Sequence, residues 1–338
     1  GGERPSVGVT NIVEEWNGSS WTEVADLSGS RYAIGGAGTS TSALAMGGNP
    51  TPLGVSTEEW EGPGAAVLAW STSGNMNTAR DALASAGIQT SGLVFGGTTP
   101  PNSALTESYD GSTWTEVGDL NLARRAFGGS GVSNTSALAF GGVHTANTAD
   151  TEAWNGSSWT EVADMPVARQ GLSGSGTKSS TLAFGGSTAS TDSWNESSWT
   201  EVNDLNTNRG YFSGAAGASN TSALAFGGTS PTTGKTELYN GSSWTEVADL
   251  NTARTLAGGF GTATSALAFG NEPIAAITED WNGATWAEVA DLNTGRKELT
   301  GNGSSALAGF AAAGNSGSRT TAAEDWGQGK TVKTVDTD

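Results

Sequence analysis

The sequence predicts an all-β protein built as a closed ring of four-stranded blades, a β-propeller, and three observations carry the prediction. A Trp stands ten residues before an Arg seven times: Trp21/Arg31, Trp70/Arg80, Trp114/Arg124, Trp159/Arg169, Trp199/Arg209, Trp244/Arg254 and Trp286/Arg296. Successive Arg are 40–49 residues apart, the length of one blade in a repeat protein. All 13 Trp occupy one of two places in the repeat, which makes them architectural.

Each repeat divides into four strand-like pieces. The first is Gly-rich and follows the Arg, as in Arg124-Arg-Ala-Phe-Gly-Gly-Ser-Gly. The innermost strand of a blade has least room, and small residues suit it. The second is Ser-Ala-Leu-Ala-Phe-Gly-Gly at 136–142 and 222–228, with variants in the other repeats. A short all-apolar run fits a strand covered on both faces. The third is a Thr-Glu-x-Trp/Tyr piece ending at Trp16, Trp60, Tyr109, Trp154, Trp194, Tyr239, Trp281 or Trp326. The fourth is the phrase Trp-Thr-Glu-Val-Ala-Asp-Leu, complete at 244–250. Asn-Gly in Trp154-Asn-Gly-Ser-Ser-Trp159 marks a hairpin, because both residues tolerate positive φ. Helical periodicity is absent at any useful length.

Composition narrows the function. The net charge of −19 disfavours nucleic acid and anionic membrane surfaces, which need Lys and Arg to displace counterions. No run approaches the ~20 apolar residues of a membrane span. With no Cys, disulfides and thiolate metal sites are excluded. Apolar content is 35%, below the roughly 45–50% of average domains. The Trp content and regular strand pattern nevertheless argue for a folded chain.

The Gly-Gly doublet closing a strand, the Trp/Tyr a short loop later, the second Trp and the Leu-Asn-x-x-Arg that follows resemble the kelch-repeat family, over nearly the whole chain. The resemblance implies a kelch-type propeller of the kind found on phage particles or cell surfaces. One departure is Ala in place of the family's usual aromatic before the doublet strand. WD40 repeats of similar length want Gly-His and Trp-Asp dipeptides, which this sequence lacks. Kelch propellers that resemble galactose oxidase need a Cys, Tyr and His cluster, which a chain with no Cys and one His does not supply.

Counting repeats gives seven blades. Residues 1–310 form the propeller, the last blade taking inner strands from 296–310 and outer strands from 7–27, so that the N-terminal strands close it. Residues 311–338 are then a surplus strand or connector, although 320–326 read as another third strand.

No constellation for catalysis, cofactor or metal binding stands out, and the chain is expected not to be an enzyme. The seven Arg could line an anion-binding ring, but identical use in every repeat fits bracing of each blade. Glu23, Glu116, Glu161, Glu201 and Glu246 recur too regularly for acid/base work and fit a solvated outer face. Asp150/Glu152 and Asp336/Asp338 lack a calcium-loop pattern. Ser108-Tyr-Asp-Gly-Ser-Thr-Trp114 is one residue short of a sialidase Asp box and is better explained as a hairpin. Asn-x-Ser/Thr sequons at Asn17, Asn134, Asn155, Asn195, Asn220, Asn240 and Asn302 follow from turn chemistry.

The informative contrast lies in the loop after the doublet, which varies while the strands are nearly copied: residues 49–57, 98–106, 143–151, 187–191, 229–236 and 272–278. These loops emerge on one face of a propeller. Candidate binding residues there are Asn49, Thr51, Thr98, Asn102, His144, Asn147, Thr188, Ser190, Thr232, Lys235 and Glu272. The resulting expectation is a non-catalytic binding or structural module on a virion (phage tail) or cell surface, outside the cytoplasm. Its variable face would meet a glycan or protein, with other subunits of an assembly as further partners. A purely structural subunit and a carbohydrate-active hydrolase or lyase are the alternatives.

Overall fold

A computed structural model describes residues 68–328, apart from 187, 212, 213 and 230, together with seven short strands between residues 2 and 61. The chain divides into two units, Gly1–Val67 and Leu68–Asp338. The second is an all-β propeller of six four-stranded antiparallel sheets.

Blade 2 shows the pattern: Gly128–Ser133, Ser136–Phe140, Thr151–Trp154 and Trp159–Val162, paired in chain order. The first strands of the six blades are Ala84–Ile88, Gly128–Ser133, Leu172–Thr177, Gly214–Ser219, Gly258–Thr262 and Thr300–Ser305. Each packs on the first strand of the next blade, and Thr300–Ser305 packs on Ala84–Ile88, so the ring is closed.

The blade count differs from the expected seven. The sixth blade takes its third strand from Ala323–Gln328 and its fourth from Leu68–Thr72, with Trp326 paired to Trp70. The strands within residues 7–27 do not close it. Glu14–Trp16 and Trp21–Glu23 form their own two-stranded sheet, as do Gly2–Arg4 and Gly8–Thr10. Gly35–Thr39, Ser42–Met46 and Thr57–Glu61 form a three-stranded sheet in which Ala43 pairs with Trp60, the register of Ala137 with Trp154. The cause is a spacing. Third- and fourth-strand aromatics are five residues apart within the other repeats, but Trp60 and Trp70 are ten apart across Gly62-Pro-Gly. Thr57–Glu61 therefore lacks the short hairpin that would join it to Leu68–Thr72. That strand pairs instead with the exposed edge of Ala323–Gln328, which would otherwise be left unpaired.

Inside a blade, burial follows the sequence pattern. Ala137, Leu138, Ala139 and Phe140 are all fully buried, because neighbouring blades cover both faces of the second strand. Trp154 and Trp159 are buried farther out and pack on each other at 5.4 Å between ring centroids. The hairpin between them is a four-residue turn in which Asn155 Oδ1 accepts the backbone N–H of Ser157 and Ser158. In the doublet after the second strand, Gly141 and Gly142 have φ of 64° and 101°, a conformation that glycine adopts without strain.

Candidate functional site

The six Arg of the described blades are buried and face carboxylates of the third strand: Arg80–Glu107, Arg124–Glu152, Arg169–Asp192, Arg209–Glu237, Arg254–Glu279 and Arg296–Glu324. Arg80 also donates to the carbonyls of Gly96 and Leu105, at 2.9 and 2.6 Å. Burial pulls the guanidinium pKa of Arg80 down and Glu107 pushes it back up, from an ordinary value so high that the charge stays. These Arg brace the blades and are not presented to an anion. Arg31, the seventh, lies outside the described residues.

The sequence did not identify these carboxylates as partners of the Arg, and it offered Glu152 only as a calcium ligand, although Thr-Glu-x-Trp/Tyr recurs in step with Arg. The five glutamates among them, but not Asp192, also hold the loop that enters the blade. Glu152 Oε2 accepts the backbone N–H and Nδ2 of Asn121 at 2.7 and 2.8 Å. By contrast Glu116, Glu161, Glu201 and Glu246 of the fourth strand are exposed. Asp110, in the Asp-box-like stretch, accepts from Thr113 and Ser112 backbone N–H groups, and these bonds hold its carboxyl well below the usual range. It caps a hairpin.

The loop candidates serve partly as ties between blades. Asn102 Nδ2 donates to the carbonyls of Val143 and His144 in the next loop, both at 2.9 Å. Thr98 bridges Asp81 and Asn102. His144 is exposed, with Nδ1 2.8 Å from the Ala123 carbonyl, and Asn147 and Thr232 are exposed. Thr188 Oγ1 donates to Gly185 and accepts the N–H of Ser190. Lys235 pairs with Glu246 at 2.7 Å, and Lys297 pairs with Glu272. Asn49 and Thr51 lie outside the described residues, as do Asp336 and Asp338. Glu152 is committed to Arg124, and among the described residues no three His, Cys, Asp or Glu gather to hold a metal. No helix among them is long and apolar enough to cross a membrane.

The variable loops surround a second feature that the sequence did not reveal. The residue two places after each Arg forms a collar: Ala82, Ala126, Gly171, Tyr211, Leu256 and Glu298. Every one has positive φ, between 47° and 65°. Each N–H donates to the collar carbonyl of the preceding blade, and Ala82 donates to Glu298 at 3.0 Å, completing a ring of backbone hydrogen bonds. Ala84 pairs with Phe95. The start of a first strand therefore lies beside the end of a second strand, which puts the collar on the loop face.

The collar rims a central cavity of about 370 Å³. Charge enters its wall through Arg125 and Glu298, the single carboxylate among the described lining residues. Burial raises the Glu298 carboxyl pKa, with the Asp81 carboxylate as the next cause. Asp81, itself buried, is held 3.0 Å from Arg319 Nε.

No protein-family model matches this chain, and no curated protein matches it at a significant level.

Proposed function

We propose that the chain is a kelch-type, non-catalytic binding and structural module, carried outside the cytoplasm on a virion such as a phage or on a cell surface. Its loop face meets a glycan or a protein partner. One observation carries this reading. Side chains that change from repeat to repeat gather at one end of the ring, whereas the Arg–carboxylate pairs, the Trp slots and the apolar second strands recur from blade to blade. The collar alone runs Ala82, Ala126, Gly171, Tyr211, Leu256, Glu298, at positions whose backbone is held the same. A constant frame with changing side chains at one end is how loop-borne recognition is built. The net charge of −19 argues against polyanionic partners.

Glycan-array binding by the native chain and by variants with exchanged loops tests this, for example with residues 98–106 placed at 143–151. Binding that changes with the loops supports the reading. Hits that ignore the loops, or no hits, count against glycan recognition at this face. Loops buried against other subunits in a symmetric particle would favour a purely structural role. The hydrolase or lyase alternative draws on Glu298 in the cavity wall. Turnover of a polysaccharide that Glu298→Gln abolishes would replace the binding reading.

A further inference from the structure

The central cavity carries recognition features separate from the loops. Below the collar its wall mixes glycine and hydroxyl residues, among them Ser130, Ser173, Thr262 and Thr300, with apolar ones such as Ile88 and Val132. Its volume of about 370 Å³ falls in the range of small-molecule sites. Ser175 is 5% exposed, and its Oγ has no hydrogen-bond partner among the described residues. At the matching place in blade 2, Ser130 Oγ meets Thr181 Oγ1 at 2.6 Å. The Thr181 position of the next blade is Ala223, so the covered Ser175 Oγ is left unpaired between the blades and not in the cavity.

The rim is asymmetric. Blades 1 to 3 contribute Ala82, Ala126 and Gly171, whereas blades 4 to 6 contribute Tyr211, Leu256 and Glu298. Tyr211 holds a φ of 47°, where a bulky residue is uncommon. Its ring lies against Gly171, at which a Cβ would stand 3.2 Å from three ring atoms. A partly exposed aromatic is thus held at the mouth of the cavity, with small residues opposite leaving space beside it.

We infer that this mouth binds a neutral sugar ring, stacked on Tyr211, with its hydroxyls taken by the wall hydroxyls and peptide groups and by Glu298 at the rim. A pyranose offers an apolar C–H face to an aromatic ring, and its other edges carry hydroxyls that both donate and accept. The alternatives fit less well. Anions meet a strongly acidic chain and the Glu298 carboxyl, against which stands one lining cation, Arg125. Cations find no carboxylate below the rim among the described lining residues. A wholly apolar ligand would leave the serine and threonine hydroxyls of the wall unpaired. The inference rests on the loop-face reading for its choice of a glycan, but it uses different residues.

Isothermal titration of the full chain with glucose, galactose, mannose and N-acetylglucosamine tests it. At least one sugar should bind saturably. Tyr211→Gly, which suits the collar backbone and keeps its N–H, should weaken that binding about tenfold, the loss of ~1.4 kcal/mol. Glu298→Ala, at a φ that alanine holds in blades 1 and 2, should weaken it severalfold. Tyr211→Phe, which keeps the ring, and the 143–151 loop exchange should bind like the native chain. Far-ultraviolet circular dichroism checks that each variant is folded, and a failure of Tyr211→Gly to fold leaves Glu298→Ala to decide. The inference is overturned if none of the four sugars saturates, or if the cavity variants bind like the native chain. Glycan-array binding that changes with the loops, with the cavity variants silent, would sink this inference alone and keep the loop-face reading.

Discussion

The indole Nε1 of Trp114 is buried without an acceptor among the described residues, and the residue in the acceptor's place is Ala323. At the other five junctions the equivalent indole donates to a threonine of the preceding blade. Trp159 bonds Thr106, Trp199 bonds Thr151, Trp244 bonds Thr191, Trp286 bonds Thr236 and Trp70 bonds Thr278, at 3.0–3.1 Å. Ala323→Thr should supply the missing hydroxyl and raise stability by about 1 kcal/mol. The reverse change at an intact junction, Thr106→Ala, should cost about 1–3 kcal/mol by orphaning Trp159. Urea unfolding midpoints of the two variants check both signs.

Blade 3 departs from the others at two linked positions. Where other entry loops have Asn, it has Pro166, and where other third strands have Glu, it has Asp192, 2.6 Å from Arg169. Pro166 has no N–H or amide to give the second carboxylate oxygen. Asp192→Glu alone should overpack a buried site, costing on the order of 1–3 kcal/mol. Combined with Pro166→Asn, it should recover stability beyond the sum of the single changes, a coupling of about 1 kcal/mol. A double-mutant cycle by chemical denaturation measures it.

Removing one partner of a buried pair should cost far more than breaking an exposed one. Glu107→Ala leaves Arg80 charged and fully buried, and should destabilise the ring by about 3–5 kcal/mol. Glu246→Ala, which breaks the half-exposed pair with Lys235, should cost less than about 1 kcal/mol. Melting curves of the two variants side by side distinguish them.

Asp325 ties stability to pH. Burial raises its carboxyl from 3.8 to about 6, partly opposed by side-chain hydrogen bonding to Tyr109, whose Oη donates to Asp325 Oδ2 at 3.0 Å. The folded chain therefore keeps a proton between pH ~4 and ~6 that the unfolded chain releases. This contribution to stability is complete below pH ~4, falls as pH rises through about 6, and is then level. Asp325→Asn should be more stable than the native chain at pH 7.5, by on the order of 2 kcal/mol, with the gap closing by pH 4. Denaturation midpoints at the two pH values check the sign.

The closing strand makes its own prediction. Trp70 is 6% exposed and packs on Phe269, Phe260 and Trp326, with ring centroids 4.9–6.3 Å apart. Trp70→Ala should cost about 3–5 kcal/mol and free the edge of Ala323–Gln328. Faster proteolysis near residues 323–328 than in the native chain is the expected readout.

Much of the blade was legible in the sequence because its cause is local. The buried all-apolar second strand, an Asn-capped hairpin and a first strand of small residues each follow from a few neighbouring side chains, and the Trp–Arg spacing repeats them. The loop face was legible for the same reason, since copied strands throw the changing loops into relief. What was misread was the count of blades: residues 7–27 match the repeat phrase better than 320–326, yet the closing strand is Leu68–Thr72. Only the ten-residue gap between Trp60 and Trp70 hinted at this. Ring closure depends on which strand edges meet across more than 250 residues of chain, and similar edges look alike in sequence. The collar, the unpaired indole of Trp114 and the unpaired hydroxyl of Ser175 likewise arise between blades. The sequence alone therefore determined what a blade is, and tertiary packing decided how many blades close the ring and which side chains meet at its mouth.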